Sequence, residues 1–287
     1  MIADVKPYSI NLGGRLIHLD HTLVMGILNA TPDSFYMASR CFDNKDVIAS
    51  RARQIIDEGG EMIDIGGFST RPGADAVSAE EEYRRLSIAL EIVRRECGED
   101  IPVSIDTFRA DVARRCVEAF GPLIINDIAG GNLDEKMFDT VAELQMPYIL
   151  THSRGDSQTM QTLTDYDDVV CDVIRDLEEK ANRLALLGVS DVIIDPGFGF
   201  AKTIEQNYAM LARLNEFNIF DLPLLVGISR KTMIWKSLGI TSDKALNGTS
   251  VLNTIATMAG THILRVHDVK ECAEVVKLTQ NTRIQQQ

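Results

Sequence analysis

Eight short apolar runs recur along the chain, at 23–29 (LVMGILN), 61–67, 101–107, 122–128, 146–152, 190–197, 222–230 and 261–267. They are rich in Ile, Val and Leu and rarely alternate with polar positions, the pattern of parallel strands covered on both faces. Amphipathic stretches with a helical period separate them, among them DVIASRARQIIDEGG, RADVARRCVEAF and YDDVVCDVIRDLEEKANRLALLG. Ser78, three residues before Glu81, reads as a capping box, and Gly59-Gly60 and Gly188 read as helix stops. Before the first run, YSINLGGRLIHLD carries two alternating segments around Gly13-Gly14, a small hairpin serving as a lid or plug.

Eight strand–helix units without a Pro/Gly/Ser-rich linker predict an α/β fold, a (β/α)8 TIM barrel with an N-terminal β-hairpin. The hairpin spans about 8–19 and the barrel about 22–280, in one domain over 1–287. The competing arrangement, an open doubly wound sheet, would place a GxGxxG fingerprint after the first strand, where this chain has GILNATPDSF.

Charge narrows the ligand class. Lys and Arg number 29 against 42 Asp and Glu, a net charge of −13, which argues against nucleic acid and anionic membrane as partners. No apolar run is long enough to cross a bilayer, and the first residues lack an export signal. Five scattered cysteines point to a reducing compartment, so a cytoplasmic location is expected.

The strand ends carry the chemistry. Asn29, Asp64, Asp106, Asn126-Asp127, His152, Asp195, Ser229-Arg230-Lys231 and Arg265-Val266-His267 all close apolar runs. Each could cap a helix or brace a turn (Asp195 in DPGFGF is such a case), but eight in succession converge on one barrel mouth. Asp106, Asn126 and Asp195 suit a heterocycle with amidine-like nitrogens, since a carboxylate accepts paired N–H groups and an amide both donates and accepts. Arg71, Lys231, Arg265 and His267 form a cationic set suited to a phosphate or diphosphate. The side-chain-rich segment 29–43 reads as a mobile cover. Asn29 offers one oxygen to a metal, which fits Mg²⁺ held mainly by water and diphosphate better than a zinc site. Of the five histidines, His152 and His267 fall where chemistry is expected.

At these residues the chain resembles the bacterial dihydropteroate synthase family. GILNATPDSF, DIGGFSTRPGAD, SIDTFRADVA, IINDIAGG, DPGFGF, VGISRK and LRVHDV follow in that family's order across about residues 22–278. The resemblance implies condensation of (7,8-dihydropterin-6-yl)methyl diphosphate with 4-aminobenzoate to 7,8-dihydropteroate and diphosphate, with Mg²⁺, in folate biosynthesis. It implies that Asp106, Lys231, Arg265, His267 and Arg71 act in catalysis. Asp106, Asn126, Asp195, Phe200, Gly227, Lys231 and Arg265 would hold the pterin. Asn29, Thr31, Thr70, Arg71, Arg265 and His267 would handle the diphosphate, Asn29 also serving the metal. Thr70, Pro72, Phe35, Phe200, Ser229 and Lys231 would form the 4-aminobenzoate pocket, where sulfonamides compete. A homodimer is expected on the same ground.

The chain departs from the family at three places. The fifth-strand motif, usually Met-His-Met, reads Thr151-His152-Ser153; the first loop reads SFYMASR; Phe68 stands where Glu is frequent. These departures leave room for a non-catalytic or weakened pterin-binding homologue. A corrinoid-dependent pterin methyltransferase would not need the cationic set.

Overall fold

The computed structural model describes residues 5–30, 44–68, 77–156 and 158–284. Two strands, β1 (Tyr8–Leu12) and β2 (Arg15–Leu19), pair antiparallel as the expected hairpin. The alternation that follows is β3 (Leu23–Asn29), α1 (Asn44–Asp57), β4 (Met62–Gly66), α2 (Ala79–Cys97), β5 (Val103–Asp106) and α3 (Ala110–Phe120). It continues through β6 (Ile124–Asp127), α4 (Met137–Leu144), β7 (Tyr148–Thr151), α5 (Val169–Leu186), β8 (Val192–Asp195) and α6 (Ile204–Ala212). The last units are β9 (Leu225–Val226), α7 (Thr232–Ser237), α8 (Leu246–Met258), β10 (Ile263–Val266) and α9 (Val269–Ile284).

Strands β3 to β10 form one eight-stranded parallel sheet in the order β8-β7-β6-β5-β4-β3-β10-β9. A parallel bridge between Ile194 and Leu224 joins its two ends, so the sheet closes as a barrel. The helix starts follow the sequence signals in part: at α2 Ser78 caps, while the Glu81 carboxylate of the expected capping box accepts from Arg84 and Arg85. Ser78 Oγ accepts from the Glu81 amide at 3.2 Å at the start of α2, and Asp168 caps α5. The seventh barrel strand is much shorter than the apolar run 222–230 implied: only Leu225 and Val226 join the ladder, and Arg230 turns away with φ 55°.

Strand alternation sorts the side chains into two populations. Outward residues such as Ile63, Ile65, Ile105, Ile125, Leu150 and Leu264 pack with the helices in the main core. Inward residues Met25, Met62, Ile124, Ile149, Ile193, Leu225 and Ile263 meet Ile10, Leu12 and Leu19 of the hairpin in a second cluster. The hairpin thus plugs the end of the barrel where the strands begin. Each of its three buried side chains contributes about 1.5–3 kcal/mol relative to exposure.

Candidate active site

Two residues after five of these inward apolar positions, the same face turns polar. Met62 is followed by Asp64, Ile124 by Asn126, Ile149 by Thr151, Ile193 by Asp195, and Ile263 by Arg265. This period of two builds a polar chamber directly above an apolar floor, at the C-terminal end where barrel enzymes do chemistry.

Arg265 organises the chamber. Its Nε donates to Asp64 Oδ2 at 2.6 Å, and one terminal nitrogen donates to Asp106 Oδ2 at 2.7 Å. Asn126 Nδ2 lies 3.3 Å from both Asp64 oxygens, and Ser104 Oγ donates to Asp64 Oδ1 at 2.6 Å. Asp64 therefore orients Arg265, Asn126 and Ser104 together, a role the sequence did not assign to it. Gly227 lies beside Arg265: a Cβ there would stand 3.9 Å from Arg265 Cβ, an ordinary packing distance.

Electrostatics follows from depth. Burial raises the Asp106 carboxyl to about 7 against the opposing pull of Arg265, and burial also raises Asp195. Burial pushes Lys231 down to about 8, although Asp195 and Asp106 favour its charge. Arg265 is also desolvated, but Asp64 and Asp106 outweigh that and hold its pKa above the usual value. Lys231 donates to the Phe198 carbonyl, and its Nζ stands 4.5 Å from the centre of the Phe200 ring.

His267 departs from the cationic role expected of it. Burial, then the charge of Arg265, push its pKa down to about 4, so the ring is neutral at pH 7. Its Nδ1 lies 3.1 Å from Ser229 Oγ, which also accepts the His267 amide at 3.2 Å. His152 faces away from the chamber. Lys202 Nζ stands 2.8 Å from His152 Nδ1 and donates to the carbonyls of Gly197 and Phe200, each at 3.0 Å. That buried lysine fixes the 197–200 turn from behind, and so places Phe200; only its position just ahead of the Thr203 cap hinted at this.

Asn29 ends β3 in register with Gly66, its Oδ1 3.5 Å from where a Gly66 Cβ would be. Thr31, Phe35, Thr70, Arg71 and Pro72 lie outside the described residues. Beside the chamber a small cleft opens to solvent, lined by Phe68, Phe108, Ile128, Leu133, Ser153, Met160 and Phe200 among others. It shares Phe200 with the charged cluster but is largely apolar, the composition of a small-molecule site. Among the described residues no group of three or more His, Cys, Asp or Glu could hold a metal, and no helix is long and apolar enough to cross a membrane.

An enzyme acting on a flat, polar-edged heterocycle is the class that barrel and chamber define, and comparison with known proteins agrees. Residues 25–267 match the family described as pterin binding enzyme. A dihydropteroate synthase of Escherichia coli is 41% identical over 272 residues, 94% of each chain. The Yersinia pestis dihydropteroate synthase solved with a sulfonamide drug superposes with a TM-score of 0.89 at 36% identity, covering 96% of this chain and 100% of that one. The Xanthomonas albilineans dihydropteroate synthase solved with 4-aminobenzoic acid gives 0.87 at 34% identity, over 97% and 99%. The chain belongs to the dihydropteroate synthase family of pterin-binding enzymes.

Proposed function

We propose that this protein condenses (7,8-dihydropterin-6-yl)methyl diphosphate with 4-aminobenzoate, forming 7,8-dihydropteroate and releasing diphosphate. The observation that carries the reading is the inward array of Asp106, Asn126 and Asp195, with Lys231 and Arg265 set among them at one barrel mouth. The carboxylates and amide accept and donate along the polar edge of the pterin. The bond between the pterin methylene and the diphosphate oxygen breaks, its electron pair leaving with diphosphate. Asp106 and Asp195 offset the positive charge left on the pterin. The neutral aryl amine then forms the carbon–nitrogen bond and releases a proton to water, so no strong base is needed.

Arg265 and neutral His267 contribute hydrogen bonds to the diphosphate, joined by Thr31, Thr70 and Arg71 on the sequence pattern. Pro72, Phe35, Phe200, Ser229 and Lys231 would receive 4-aminobenzoate, with sulfonamides as competitors; the sulfonamide and 4-aminobenzoate complexes of the two relatives support this. The Asn29 side-chain oxygen at the mouth suits Mg²⁺ bound chiefly by diphosphate and water. When bound, Mg²⁺ supplies neutralisation of the leaving group's charge.

Exposed apolar side chains on α8 and α9, among them Val251, Ile255, Met258 and Leu278, support pairing with a second copy. The free thiols of Cys97, Cys116, Cys171 and Cys272 support a reducing, cytoplasmic setting.

The test is incubation of purified protein with the pterin diphosphate, 4-aminobenzoate and Mg²⁺, with dihydropteroate and diphosphate measured. Tight pterin binding without product would leave a non-catalytic binding protein instead.

A further inference from the structure

We propose that Asp127 is a positioning residue for the pterin half of the reaction. From the outer side of the barrel its carboxylate holds the turn after β6, and through that turn Asn126 and the adjoining wall of the mouth cleft. The inference rests on the functional reading above and on three observations.

The first is orientation. Along β6, Ile124 faces the barrel interior with the plug cluster and Ile125 faces the helices, so Asn126 points into the chamber and Asp127 away from it. Asp127 is therefore next to a site residue in sequence without facing the ligand, and it is fully buried.

The second is how completely the carboxylate is used. Its Oδ1 accepts from the Ala129 amide at 2.8 Å, and its Oδ2 accepts from the Gly131 amide and the Tyr148 hydroxyl, each at 2.7 Å. Tyr148 begins β7 and packs edge-on against Phe138 of α4, with ring centres 5.9 Å apart. One side chain thus ties the turn to the neighbouring strand and, through an aromatic ring, to a helix. Burying a carboxylate at this depth is costly, and an apolar residue would fill the space without that cost.

The third is the shape of the turn. Gly130 and Gly131 have φ of 56° and 76°. A Cβ on Gly130 would stand 2.3 Å from the Thr151 carbonyl oxygen, and one on Gly131 2.5 Å from the Phe138 ring. Asn132 Nδ2 donates to the Ser153 carbonyl at 2.9 Å. A turn pressed this closely against β7 has little freedom, and Ile128, Ala129 and Leu133 along it form a wall of the cleft. Asn126, one peptide before Asp127, inherits the same constraint.

The experiment compares wild type, Asp127→Asn, Tyr148→Phe and the double variant for KM and kcat with both substrates, for pterin diphosphate binding by titration, and for urea stability. The amide of Asp127→Asn cannot accept from all three donors. This variant should therefore bind pterin diphosphate about tenfold more weakly and show a matching rise in its KM, with KM for 4-aminobenzoate within about twofold of wild type. Tyr148→Phe keeps the packed ring and loses one donor, so the same pterin parameters should weaken about threefold. The double variant should match Asp127→Asn, because the hydroxyl acts only through the carboxylate. A purely structural carboxylate would lower the urea midpoint and leave both KM values intact. If Asp127→Asn is insoluble, Tyr148→Phe decides by the same criteria. Unchanged pterin affinity in the soluble variants, or an equal loss for both substrates, overturns the inference while leaving the enzyme reading intact. A wild-type protein that binds no pterin diphosphate overturns both.

Discussion

Arg265 spans Asp64 and Asp106 with separate nitrogens, 2.6 Å and 2.7 Å from their oxygens, so one guanidinium joins carboxylates from two different strands. The two acids lie on β4 and β5, adjacent in the barrel.

Replacing Arg265 by Met should therefore do two kinds of damage. Both carboxylates remain at the chamber wall without their cation, which should lower unfolding free energy by about 3 kcal/mol in urea titrations. Use of the pterin diphosphate should fall by at least about a hundredfold in kcat/KM. Arg265→Lys should recover part of the stability and little of the activity, since an ammonium lacks the planar fork that engages both acids. Near-normal turnover in either variant would contradict the placement.

Activity should be confined to a narrow pH range. Asp106, raised by burial to about 7, must be ionised to accept pterin N–H groups, so kcat/KM for the pterin should decline as pH falls through about 7. Lys231, lowered by burial to about 8, loses its charge above that value, so the rate should decline again as pH rises through about 8. Lys231→Arg should abolish the alkaline limb while leaving the acid limb in place. A profile flat from pH 6 to 9 would show that neither group titrates in this window.

Stability should fall on the acid side for a separate reason. Unfolded histidine binds a proton below about 6.5, whereas folded His267 does so only below about 4. Between those values the unfolded state holds more protons, so His267 lowers stability progressively as pH drops from about 6.5 to about 4. His267→Asn should make the decline shallower in urea titrations at pH 7 and 5. An unchanged slope would show that the ring is protonated in the folded protein.

The barrel could be read from sequence because strands buried on both faces leave runs that no surface strand has. The seventh was overestimated because LPLLVGISR stays apolar after leaving the ladder at Val226. In the site, Asp106, Asn126 and Asp195 stood out as polar ends of apolar runs. Asp64 looked similar, but its task of holding Arg265 depends on a partner 201 residues away, which no local pattern shows. His267 was expected as a cation because depth and the proximity of Arg265 are properties of the closed barrel.

Gly197 shows a constraint of another kind. With φ 71° and a Cβ position 1.9 Å from the His152 carbonyl oxygen, the turn after β8 admits no side chain. Its amide donates to Asp195 Oδ1 at 2.8 Å, and its carbonyl accepts from Lys202. Gly197→Ala should cost at least about 3 kcal/mol and displace Asp195. Soluble protein with wild-type urea stability would contradict the close approach.

The hairpin plug has a consequence for traffic. With Ile10, Leu12 and Leu19 filling the floor, a reactant reaches Asp106, Asn126 and Asp195 from the end of the barrel where the strands finish. On the proposed reading, a pterin seated on those residues should have to enter before the amine, so 4-aminobenzoate should bind measurably only once the pterin site is filled.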